Sequence, residues 1–165
     1  MKLKNFIIAF ILISIAGTLG HFVYEWTNNT FLGYLFPVSE STWEHLKLLF
    51  FPTVIFSTIE YFIIKDNVKG YWPSVVISII VGLTTIISLF YTYSGVLGFT
   101  IDGFNIAIYY IAVLFMLIIK SLLILSGILG SKTGNLLSII FILAITILFI
   151  IFTYNPPNLG IFEKP

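Results

Sequence analysis

The chain contains no cysteine and no arginine, and it carries little charge of either sign. Without cysteine it has no disulfide, no thiolate metal site and no cysteine nucleophile. Eight lysines against seven acidic residues leave a net charge of +1, which provides no basic footprint for nucleic acid. Charged residues make up 9% of the 165, whereas a soluble domain carries about 25%. What the chain has instead is apolar surface: 59% hydrophobic residues, 18% aromatic, and a mean hydropathy of +1.09. That composition excludes intrinsic disorder and identifies an integral membrane protein.

A helix needs roughly 20 apolar residues to cross a bilayer core. Five stretches qualify, at about 5–24, 45–64, 72–93, 104–127 and 135–154. Their Ile, Leu, Phe and Val runs lack the period-2 alternation of a transmembrane barrel. The expected fold is therefore all-α, one membrane domain over residues 1–165 with five transmembrane helices in the cell membrane. Lys2 and Lys4, an apolar run and Ser14-Ile15-Ala16 also fit a signal peptide, but the run continues to Tyr24, long enough to span.

Lysines accumulate on the cytoplasmic side of membrane proteins. With the N-terminus inside, that side holds Lys2, Lys4, Lys65, Lys69 and Lys132, against Lys47 and Lys164 outside. An odd number of spans then puts the C-terminus outside. Trp72 is expected to anchor at the inner interface, and Trp26, Tyr91, Tyr93, Tyr109 and Tyr110 at the outer one.

Most of the chemistry-bearing side chains fall near one hairpin. The first span ends His21-Phe22-Val23-Tyr24-Glu25-Trp26, and the second begins Ser39-Glu40-Ser41-Thr42-Trp43-Glu44-His45-Leu46-Lys47. His21 and Glu25 are four apart, as are Glu40 and Glu44, so each pair shares a helix face. Capping accounts for part of this: Ser41 with Glu44 three residues on is a capping box, and acids suit a helix N-terminus. It does not account for His45, for His21 one turn inside its span, or for two carboxylates at a repelling distance. Ionisable groups in a membrane by default mark a functional site.

Imidazole and carboxylate ligands suit zinc, iron or manganese, whereas calcium prefers oxygen alone. His21, Glu25, Glu44 and His45 are the expected ligands of a divalent metal, with Glu40 as general base and Lys47 stabilising developing negative charge. The reaction expected of such a site is hydrolysis of a membrane lipid or another amphiphile at the outer leaflet. Two other readings stay open: a carrier for a cation or small polar solute, and an accessory subunit of a larger complex.

Elsewhere, Pro52 removes a backbone hydrogen bond to Leu48 and is expected to bend the second helix. Lys120 either pairs with Glu60 or snorkels alone to the inner interface. Glu60 points about 160° away from Glu44 on a straight helix, so the two are not expected to share a site. Asp102 is expected to be solvated, and Gly17 and Gly20 to permit close helix packing. After Pro156-Pro157, Ile161 and Phe162 either pin the tail over the cluster as a lid or leave it solvated.

The segments from His21 to Trp26 and from Ser39 to Lys47, with the Pro156-Pro157…Ile161-Phe162 tail, resemble a prokaryotic family of small multi-pass membrane proteins. Its most specific part is the Ser-x-Trp-Glu-His-Leu-Lys string at Ser41–Lys47. That family is a domain of unknown function. The resemblance implies a compact five-helix bundle and supplies no activity, substrate or cofactor. The chain departs from the family where Glu163-Lys164-Pro165 stands in place of an expected aspartate, which puts a role for Glu163 in doubt.

The orientation is directly measurable, because the chain has no native thiol. Cysteines introduced beside Lys4 and beside Lys164 should label from opposite faces of sealed vesicles. Labelling of both from one face would exclude an odd number of spans.

Overall fold

The computed structural model describes residues 3–64 and 68–165. Lys2 and Lys65, counted above for orientation, lie outside the described residues. Five helices are long and apolar enough to cross a membrane: α1 (Leu3–Thr27), α3 (Thr42–Ile64), α4 (Tyr71–Leu97), α5 (Asp102–Ser126) and α6 (Lys132–Tyr154). Each matches an expected span and extends beyond it at one or both ends, because interfacial polar residues continue a helix that an apolar run defines only in part. Among the described residues there is no strand.

A short helix, α2 (Thr30–Gly33), was not expected. Asn29 nucleates it by accepting the backbone N–H of Phe31 at 2.9 Å, the side-chain cap that polar residues offer to orphan helix donors. A final 3-10 turn, η1 (Gly160–Phe162), follows α6 near the C-terminus.

α3 is the central helix. Half of its membrane window is buried, against 22–39% for the other four. The sequence basis is its low hydropathy, 1.5 where the others reach 2.2–3.0. A helix that carries charges is cheapest where neighbours, not lipid, surround it. α1 packs on α3 and α5, α4 most extensively on α5, and α6 on α4.

The charges of α3 are closed off within the bundle at both ends. Toward its C-terminal end, Lys120 of α5 reaches Glu60 at 2.6 Å and Ser57 Oγ at 3.0 Å. Tyr71 of α4 donates to Glu60 at 2.7 Å. Lys120 is fully buried, so it pairs internally and does not snorkel. One cluster thereby fastens α3, α4 and α5 together.

α1 approaches α3 through glycine and tyrosine. The Leu48 carbonyl has no helical N–H partner, because Pro52 lacks one. Tyr109 Oη lies 3.3 Å from that carbonyl and donates to the Ile13 carbonyl at 2.9 Å. A Cβ at Gly17 would overlap the Tyr109 hydroxyl, so the residue there must be glycine. Tyr109 is therefore an interior strut joining α1, α3 and α5, not the interfacial anchor expected of it. Tyr93 is likewise tied down, to Asn105 and the Ile101 backbone N–H. Trp26 and Tyr91 are exposed.

Removing one partner of a buried ion pair leaves the other uncompensated, at a cost of about 3–5 kcal/mol. Lys120→Met should accordingly lower the unfolding midpoint in mild detergent, and Lys120→Met combined with Glu60→Gln should regain most of the loss. Equal stability of parent and single variant would show that the pair does not hold the bundle.

Candidate functional site

His21 sits near the end of α1 on the face that Ile13, Gly17 and Gly20 present to the bundle. His45 sits in the first turn of α3, and Glu40 in the loop just before it. Phe36 and Leu48 come within contact of where a Cβ on Gly20 would be, so a side chain there would crowd them. This close approach brings the two histidines together.

The histidine Nε2 atoms lie 3.1 Å apart, and Glu40 Oε2 lies 3.4 Å from His45 Nε2 and 3.8 Å from His21 Nε2. His45 Nδ1 is 2.9 Å from the Ser41 carbonyl, which can only accept, so Nδ1 carries the proton. In neutral His45 the lone pair is then on Nε2, turned toward His21 and Glu40. Such a backbone bond fixes tautomer and ring orientation in metal-ligating histidines. His21 Nδ1 is buried without a partner.

Ligand atoms around a tetrahedral ion with bonds of about 2.0–2.1 Å are separated by about 3.3 Å. The three donor distances bracket that value. Both rings are partly buried, whereas the Glu40 side chain is 64% exposed. The donors therefore close one side of a site and leave another open.

The open side faces a cleft of about 680 Å³. His21, Glu40 and His45 line it at one end, together with Asp102, Asn105 and Lys164. Asp102 is exposed, as expected of a solvated residue, yet it also faces this cleft. The tail is pinned beside it: Phe162 packs on Trp43 and Phe152, at ring distances of 4.9 and 5.4 Å, and Tyr91 donates to the Gly160 carbonyl at 3.3 Å.

The structure does not bring the expected site residues to one point. Glu44 and Lys47 form a separate buried knot, 2.7 Å apart, away from the cleft lining. Lys47 also donates to Thr153 of α6 at 2.6 Å and to the Gly33 carbonyl at 3.0 Å. Glu44 accepts the Val38 backbone N–H at 2.9 Å, so its carboxylate does not complete the capping box. Only half of that box forms, the Glu44 N–H donating to Ser41 Oγ at 3.3 Å. Glu25 is exposed. It stands about 6 Å above His21 along α1, higher than the three residues, about 4.5 Å, by which α3 extends above His45.

In place of those three, Glu40 joins the histidines. Spacing pointed to Glu40 and Glu44 as one face of a helix, but α3 begins only at Thr42. The loop geometry turns Glu40 toward the histidines and leaves Glu44 to Lys47. Thr153 and Tyr71, which complete the two ion-pair clusters, carry no signal in the sequence beyond a polar group in a span.

The family comparison bears on the whole of this architecture. A family model matches residues 1–165, from one end of the chain to the other. The chain belongs to DUF6512, a family of unknown function. No curated protein and no solved structure matches it. The DUF6512 chain is thus a multi-pass helical membrane protein whose activity must be read from its own side chains.

The two kinds of cluster separate experimentally. Lys47→Met leaves Glu44 buried without its counter-charge and should cost on the order of 3 kcal/mol of stability. Glu25→Ala removes an exposed side chain and should leave the unfolding midpoint where it was. A Lys47→Met protein as stable as its parent would return Lys47 to the list of functional residues.

Proposed function

We propose that this protein is a metal-dependent hydrolase embedded in the cell membrane, acting on a lipid or another amphiphile. His21, Glu40 and His45 hold a divalent cation in this reading. The observation that carries it is the convergence of three donor atoms, 3.1 to 3.8 Å apart, on the open end of the cleft. Two histidines, one carboxylate and an open position form the donor set of catalytic zinc sites, and iron and manganese accept the same ligands. A cation so placed lowers the pKa of a bound water and polarises the bond to be cleaved.

The chain's own groups supply the rest. Ser41 holds His45 in the ligating tautomer. With Glu40 committed to the ion, Asp102, a second side-chain carboxylate of the cleft lining, takes the role of general base. Lys164, the cation of that lining, offers charge to an anionic group, the part first expected of Lys47. The lysine distribution of the sequence favours this end lying outside the cell. A carrier reading would use Lys120 and Glu60 as an inward route, but that pair is bonded to Ser57 and Tyr71 and is not part of the cleft lining.

Metal content decides the proposal. Parent protein purified without chelator should bind about one equivalent of zinc, iron or manganese per chain, as a three-ligand site holds one ion. His21→Ala, His45→Ala and Glu40→Ala should each lose it, and Glu25→Ala should keep it. Occupancy should also fall on acidification, since a protonated imidazole cannot ligate. A parent that takes up none of the three ions at neutral pH would overturn the reading.

A further inference from the structure

The cleft extends well below the donor atoms. From His21 to Gly17 on α1 and from His45 to Leu48 on α3, its lining runs about 4.5–6 Å toward the middle of the membrane. Over that depth the lining changes from His21, Glu40, His45 and Asp102 to Leu48, Ile86, Phe90 and Ile108. Ile86, Phe90 and Ile108 are buried core residues, so the cleft reaches the interior of the bundle. Apart from the Thr18 and Tyr109 hydroxyls, which already donate to the Ser14 and Ile13 carbonyls, water there would have few polar partners.

The wall between α1 and α5 is different. Phe22 and Ile106 line the cleft yet are 41% and 57% exposed, and both lie within membrane-spanning helices. One turn deeper, Thr18 of α1 and Tyr110 of α5 share a hydrogen bond of 3.0 Å that closes the seam. Phe22 and Ile106 therefore border the cleft where it meets the outer surface of the bundle, and the seam is tied shut below them.

We infer that a bilayer phospholipid passes one hydrocarbon chain sideways between Phe22 and Ile106 onto the floor formed by Ile86, Phe90 and Ile108. The linkage joining chain to headgroup then lies beside His21, Glu40 and His45, and the headgroup phosphate lies toward Lys164. The chemistry at that linkage rests on the hydrolase reading; the chain-binding geometry does not. A water-soluble solute would use the polar end and leave the apolar floor empty.

The test is photo-crosslinking in vesicles of phosphatidylcholine that carries a diazirine on one acyl chain, with adducts mapped by mass spectrometry. Adducts are expected on the buried Phe90 and Ile108 as well as on lipid-facing side chains. Excess glycerophosphate should not displace them. Ile106→Trp, a change at an exposed position, should abolish the interior adducts and leave those on the outer faces. Adducts confined to lipid-facing residues would overturn the inference, as would interior adducts that survive Ile106→Trp. The experiment is repeated on His21→Ala. Interior adducts there, with no metal in the parent, would sink the hydrolase reading alone; a metal-loaded parent without interior adducts would sink only the chain site.

Discussion

A charge carried into the hydrocarbon must find its counter-charge inside the protein, and most of this bundle can be traced to that requirement. α3 brings Glu44, Lys47 and Glu60 into the membrane, and each ends in an ion pair shorter than 3 Å. Lys47 ties α3 to α6 through Thr153, and Lys120 ties it to α5 and, through Tyr71, to α4. Lipid cannot neutralise these groups, so α3 occupies the centre while the more apolar helices take the perimeter.

A second constraint comes from the backbone. Pro52 frees the Leu48 carbonyl, and the Tyr109 hydroxyl, its one proton shared with the Ile13 carbonyl, answers it across a helix interface that only glycine at position 17 leaves open. In a membrane such repairs by neighbouring side chains are what make an internal proline tolerable. Here the repair also sets the height of α1 against α3. His21 meets His45 because Gly17 and Gly20, on the same face, let the two helices come close.

The ionisable groups thus divide into those that are sealed and those that are not. Glu44 with Lys47, and Glu60 with Lys120, are closed in neutral clusters and act as fasteners. His21, Glu40 and His45 remain partly open to a cleft with a polar mouth and an apolar floor. Only the second kind keeps donor atoms available for an ion or a substrate. Intramembrane charge is a pointer to function, and it becomes specific only once the pairing of each charge is known.

Hydrophobic run length, a local property, was enough to establish five helices able to span a membrane. That follows from the polarity of the bilayer, which acts on each segment separately. The hairpin holding the polar residues was also legible, since ionisable side chains are so rare elsewhere. Which of them meet was not. Four-residue spacing placed Glu25 with His21 and Glu40 with Glu44, but spacing assumes a continuing helix and a neighbour at the same height. α3 starts two residues after Glu40 and does not reach the level of Glu25, so loop geometry and helix stagger decided the groupings. The pairing of Lys120 with Glu60, sixty residues apart in the chain, likewise depended on how α3 and α5 lie side by side. Polarity is written residue by residue, whereas the distance between two side chains on different helices is fixed only when the helices pack.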